Sequence, residues 1–338
     1  MDWLDAEILN LFKFPLKERN QLIDLLFYDV GALTSAERSM LSPLVDLKGT
    51  IVVVSPRAAG REIRHYKTAL RFMFKEGDRV QAIAVAGVGS SVLGTAALAR
   101  NVADFYGIDV AGIVTGYGML DVVAEALGGW FFYGITDRFR HAAESAAEKL
   151  LMPLPEARFT PPDAEDLDKL ILTLDSPLVE GGNSDVGTLL DILISRPKNL
   201  RLLLGHSKGD LLISFVLNRM VDELEGEHHP LYDELAVATL GAVVSIPAQF
   251  TRQVQFLGQL DWFGAINSEL DVPHQTVPRA WHHLNPRFPF AMRLSDVLRE
   301  VPLPDPTKEK GGEQSTIHSW HNWTPTVENE SPTPVTRP

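Results

Sequence analysis

The sequence predicts an α/β fold, a mostly parallel sheet flanked by helices, on three observations. Short β-branched or aliphatic runs (Thr50–Ser55, Gln81–Ala86, Asp109–Val114, Leu202–Leu204) alternate with segments whose apolar residues recur at helical spacing. Glycine-rich turns, at 87–94 and 205–209, stand where a strand passes into a helix. A chain of 338 residues, 45% hydrophobic, suits one large core with an insertion and a tail better than two equal domains.

Residues 1–48 read as a helical N-terminal region. Ile8, Leu9, Leu11 and Phe12 form an apolar stripe, and Pro15 opens a second helix carrying Leu22, Leu25 and Leu26. Thr34 and Glu37 have capping-box spacing ahead of Met40 and Leu41. Nothing in this region points to catalysis. The main domain then spans 49–300. Its first strand is Thr50–Ser55, followed by a helix over Glu62–Lys75, a strand over Gln81–Ala86, a helix through Ala96–Tyr106 and a strand over Asp109–Val114. The uncharged run Val80–Ala99 is long enough to cross a bilayer. Gly87, Gly89, Ser90, Ser91 and Gly94 divide it into strand, turn and helix, so no transmembrane segment is predicted.

Residues 115–200 are the least regular and read as an insertion. They hold the aromatic patch Trp130, Phe131, Phe132, a polar helix over Asp137–Leu151, a proline-rich connection over Pro153–Pro162, and helices over Asp163–Leu174 and Thr188–Ser195. Further on, Ala236–Ile246, Gln253–Gly258 and Asp271–Val277 read as strands. The tail, 301–338, is rich in Pro, Thr and Ser and is expected to be disordered. Its island of His318, Trp320, His321 and Trp323 suggests a protein partner.

Between the strand-like leucines and the next helix lies Gly205-x-Ser207-x-Gly209. A serine on so sharp a turn is backbone-strained, and side chains two positions away on either side would strike the adjoining strand and helix, hence the glycines. The turn leaves Ser207 at a helix N-terminus, where backbone N–H groups favour developing negative charge. The run Gly205-His206-Ser207-Lys208-Gly209 after an apolar strand resembles the nucleophile elbow of the α/β-hydrolase superfamily, in particular its lipases and esterases.

The resemblance implies a serine hydrolase that cleaves a carboxylic ester or lipid-like acyl substrate through an acyl-enzyme, without a cofactor or metal. It puts the acid after the strand two beyond the elbow strand, which is Asp261, and the histidine after the next strand, where His282 and His283 are both candidates. The chain order serine, acid, histidine is the superfamily's own. The oxyanion would be held by the backbone of Lys208 and by the 87–94 loop at Gly89, Ser90 and Ser91. The insertion would be cap-like, with Trp130, Phe131 and Phe132 lining a substrate pocket or filling core. Lys208 departs from the apolar or small residue of many relatives, and the interval from Asp261 to His282 leaves little room for a helix.

Two other readings of the residues stay open. The 87–94 loop is close to an NAD(P)-binding fingerprint, as in an oxidoreductase, but its third glycine falls at Gly94, two residues late, and Asp109 precedes its strand. A catalytically inactive interaction protein on the hydrolase fold is the other. A formal charge of −13 argues against nucleic acid and anionic membranes as partners. The absence of cysteine excludes disulfides and thiol catalysis. His228 and His229, adjacent in a loop, make a poor metal pair. The acidic start, with no secretory signal, leads to the expectation of a cytoplasmic protein.

Overall fold

The apolar runs assemble into one eight-stranded sheet, ordered β2-β1-β4-β3-β5-β6-β7-β8. The computed structural model describes residues 24–41, 48–87, 90–115, 185–224 and 227–304. All lie in the compact unit Met1–Pro304; Asp305–Pro338 form a second unit, outside the described residues. The strands are β1 (Ile51–Val54), β2 (Arg64–Tyr66), β3 (Val80–Val85), β4 (Asp109–Ile113), β5 (Leu202–His206), β6 (Ala236–Leu240), β7 (Arg252–Gly258) and β8 (Gln275–Val277). β1 runs antiparallel to both β2 and β4, while the pairs from β4 across to β8 are parallel. The helices are α1 (Ser35–Leu41), α2 (Ala69–Glu76), α3 (Val92–Tyr106), α4 (Asp185–Ser195), α5 (Lys208–Glu223), α6 (Leu231–Glu234), α7 (Trp262–Ile266) and α8 (Leu294–Arg299).

Both faces are covered over the middle of the sheet, which is why β1, β3, β4, β5 and β6 are mostly apolar and buried along their length, while the outer strands β2 and β8 and the start of β7 are polar and partly exposed. The period-two geometry of a strand deals neighbouring side chains to opposite faces. Val52, Val54, Ala82, Ala84, Leu202 and Leu204 join α3 and α8 in one core cluster. Ile51, Val53, Ile83, Val85, Leu203 and Val237 join α2, α4 and α5 in the other. Thus β3 sends its crossover helix α3 to one face and β5 sends α5 to the other. The strand order reverses between β3 and β5, which makes the carboxyl ends of these two strands the expected place for a ligand. Within Val80–Ala99, β3 ends at Val85 and α3 begins at Val92, and among the described residues no helix is long and apolar enough to cross a membrane.

Several boundaries differ from expectation. Glu62–Lys75 is a strand followed by a shorter helix, not one helix. Arg64 and Tyr66, two apart on β2, both reach the buried Glu76, Arg64 Nε donating at 2.6 Å and the Tyr66 hydroxyl at 2.7 Å. Thr68 then caps α2 by accepting from the Arg71 amide. Ala236–Ile246 is strand only to Leu240, because Gly241 turns the chain with φ 84°. Of Asp271–Val277 only Gln275–Val277 pairs with β7. The helix expected over Thr188–Ser195 begins at Asp185 and packs on the sheet beside α2 and α5. Thr34 and Glu37 form the expected reciprocal cap, the Thr34 amide donating to Glu37 Oε2 at 2.8 Å and the Glu37 amide to Thr34 Oγ at 3.2 Å. Outside the described residues lie the stripe from Ile8, Gly89, the patch Trp130, Phe131 and Phe132, the insertion's helices before Asp185, and the tail from Asp305; Val301, at the start of the expected tail, is buried.

Candidate active site

Ser207 stands where β5 ends and α5 begins, with φ 58° and ψ −120°. Positive φ in a non-glycine residue costs on the order of 1–3 kcal/mol, so neighbours must hold it in place. Its amide donates to the Leu240 carbonyl of β6 at 2.8 Å, and its carbonyl accepts from the Asp210 amide at 2.9 Å. The two glycines of the motif have distinct reasons. A Cβ on Gly209 would overlap the carbonyl of Val85, so α5 lies directly against β3; one on Gly205 would overlap the Asp210 carboxyl and lie 2.9 Å from the Asp210 amide.

His282 follows β8 and is buried, with its Nε2 2.8 Å from Ser207 Oγ and its Nδ1 2.8 Å from Asp261 Oδ2. The carboxylate can only accept, so Nδ1 carries the proton and Nε2 is left to accept from the serine hydroxyl. Asp261, after β7, is fixed in turn by the Gly264 amide, which donates to its Oδ1 at 2.6 Å at the start of α7. A Cβ on Gly264 would lie 2.7 Å from Asp261 Oδ2, so only glycine lets that amide approach. The five-residue α7 is the short helix that fits the interval from acid to histidine. Around the imidazole, Phe263 presents an edge at 4.5 Å between ring centroids and Phe27 at 5.9 Å. Gly241 lies beneath it: a Cβ there would be 3.0 Å from His282 Cε1.

Of the two histidine candidates, His283 is turned away. Its Nε2 donates to the Pro289 carbonyl at 2.9 Å, and burial lowers its pKa. The expected oxyanion donors also divide. Lys208 heads α5, the first residue after the nucleophile. The amides of Ser90 and Ser91 are engaged within the protein, contrary to expectation. Ser90 N–H donates to the Gly87 carbonyl at 3.3 Å, and Ser91 N–H to Asp24 Oδ2 at 3.1 Å.

Asp24, Tyr28 and Asp210 were not singled out from the sequence, and His206 entered only as part of the elbow run that carries the resemblance. Asp24, fully buried, accepts from the Ser91 and Gly94 amides and from the hydroxyls of Ser90 and Ser91 at the head of α3. Burial pushes its pKa up to about 7 against these donors. A dinucleotide's pyrophosphate would need the same amides at that helix N-terminus, which weighs against the NAD(P) reading of the loop. Asp210 accepts from the amides of Leu240 and Ala242 at 3.2 and 3.0 Å, so it clamps both sides of Gly241, the residue under His282. Burial raises its pKa strongly, with the nearby Asp261 charge adding to the rise. Tyr28 and His206 hydrogen-bond to each other behind the site at 2.8 Å. The one signal for Asp210 was its place in the elbow; Asp24 and Tyr28 sit in a region with no motif. Compared with family models, curated proteins and solved structures, the chain finds no match.

Proposed function

We propose that this chain is a serine hydrolase of the α/β-hydrolase type, cleaving a carboxylic ester or lipid-like acyl substrate through an acyl-enzyme. One observation carries the reading: a partly exposed serine on a positive-φ turn, in hydrogen-bond contact with an imidazole that is itself held by a buried carboxylate. Ser207 Oγ attacks the substrate carbonyl while His282 Nε2 takes its proton. His282 then protonates the departing alcohol, and the same nitrogen activates the water that releases the acid. Asp261 holds the ring in the tautomer that leaves Nε2 basic and balances the imidazolium that forms. The Lys208 amide, at the positive end of α5, is the first donor to the oxyanion.

The α/β-hydrolase assignment draws further support from chain order, since serine, acid and histidine follow the carboxyl ends of β5, β7 and β8 in the parallel part of the sheet. The test is labelling by a fluorophosphonate probe together with hydrolysis of a p-nitrophenyl ester. Wild type should be labelled at Ser207 and turn the ester over. Ser207→Ala should lose both while melting as a folded protein; hydrolysis that survives this change removes Ser207 as the nucleophile.

A further inference from the structure

We infer that Tyr28 is a positioning residue for the reaction proposed above: its hydroxyl joins the end of β3 to His206 and, through that ring, to the backbone of His282. The inference rests on the hydrolase reading and adds a part of the molecule that the triad does not include.

The direction of each bond is fixed by what each group can do. His206 Nε2 lies 2.8 Å from the carbonyl oxygen of His282, which can only accept, so this nitrogen carries the proton. Nδ1 is then bare and accepts from the Tyr28 hydroxyl at 2.8 Å. The tyrosine oxygen in turn accepts the Gly87 amide at 2.6 Å. The result is a one-way chain, Gly87 N–H to Tyr28 O–H to His206, and His206 N–H to His282 C=O. Tyr28 and His206 are both buried, and burial holds the His206 imidazole neutral by lowering its pKa to about 3. The tyrosine hydroxyl, raised by burial, keeps its proton and takes no part in proton transfer.

The ends of the chain frame the nucleophile. A Cβ on Gly87 would be 3.1 Å from Ser207 Cβ, His206 is the residue before Ser207, and His282 is the proposed base. The rest of the segment holds Tyr28 in register. The Leu284 amide donates to the Phe27 carbonyl at 2.8 Å, Asn285 Nδ2 donates to the Leu25 carbonyl at 2.6 Å, and Asp24 is anchored at the head of α3. Residues 24–28 therefore tie the loop after β3 to the loop that carries the histidine.

The experiment removes the hydroxyl and keeps the ring. Tyr28→Phe should lower kcat about 10- to 100-fold, with KM changed less than about threefold, because the reacting groups are misplaced and substrate binding is not. Fluorophosphonate labelling of Ser207 should slow in parallel. His206→Leu should do the same, and the double variant should be no slower than the worse single one, since both break one chain. His206→Gln, which keeps an N–H donor and an acceptor, should recover most of the rate. A labelled wild type with Tyr28→Phe labelled equally fast overturns the inference and leaves the hydrolase reading standing; so do fully additive losses in the double variant. A wild type that is neither labelled nor active ends both. If Tyr28→Phe does not fold, ¹⁵N NMR of wild-type His206 decides: the Nε2–H tautomer, not titrating between about pH 5 and 8, supports the chain, and an Nδ1–H tautomer or a titration there overturns it.

Discussion

At Ser207 the backbone stores strain that its surroundings have to balance, and the same surroundings fix the imidazole. Gly241 illustrates the coupling. It needs φ 84°, and its α-carbon sits close enough to His282 that an added methyl would be 3.0 Å from Cε1. Gly241→Ala should therefore cost about 1–3 kcal/mol for the strained backbone and, by displacing the ring, lower kcat by about a hundred-fold. Kinetics on protein shown by its melt to be folded would check this; an unchanged kcat would mean the ring does not rest there. Asp261→Asn keeps the shape but allows the wrong tautomer at His282, and should lower kcat about a thousand-fold or more in the ester assay. Among the site residues, those with a signature of their own were legible: Ser207 between two glycines, Asp261 after a strand, His282 in a short His-His pair. The sequence could not separate His282 from His283, because adjacent residues differ only in which way the folded loop turns them. Tyr28 was illegible for another reason: its partner His206 is 178 positions away, and a tyrosine at helical spacing looks like packing.

Elements, more than single residues, were legible here. The runs around β1, β3, β4 and β5 were read close to their observed ends because both faces of the sheet are buried there, which leaves nearly continuous apolar runs. The failures came where tertiary contacts overrode local pattern. β2 exists because β1 and Glu76 give Arg64 and Tyr66 partners, and β8 is short because only Gln275–Val277 reaches β7. Helix–sheet spacing is the element-scale property most exposed to mutation. α5 lies so close to β3 that a side chain at Gly209 would overlap the Val85 carbonyl, which is backbone and cannot rotate aside. Gly209→Ala should destabilise the protein by about 3 kcal/mol, read as a lower urea midpoint. A midpoint within error of wild type would show that α5 can move away from the sheet at little cost.

Among the buried titrating groups of the whole molecule, His206 and Asp24 pull stability in opposite directions as pH changes. His206, lowered from 6.5 to about 3, is neutral in the fold while the unfolded chain takes up a proton below 6.5, so its contribution is present above that value and is lost as pH falls toward 3. Asp24 behaves inversely: with a pKa raised from 3.8 to about 7, it is protonated in the fold where the unfolded carboxyl is charged. Its contribution is full below 3.8 and disappears as pH rises through 7. Each slope is at most about 1.4 kcal/mol per pH unit, and between the two unfolded values they oppose one another. The gap between wild type and each variant isolates the replaced group, because the other buried groups, Asp210 and His283 among them, are common to both proteins. Asp24→Asn should lose ground to wild type by about 2 kcal/mol between pH 7 and pH 5, because only wild type gains from protonating the acid as pH falls. His206→Gln should gain on wild type over the same interval, since it no longer has an imidazole to charge on unfolding. Urea titrations of the three proteins at both pH values measure this directly. Gaps that stay constant with pH would mean that neither group is held in the folded protein in the charge state that its burial requires.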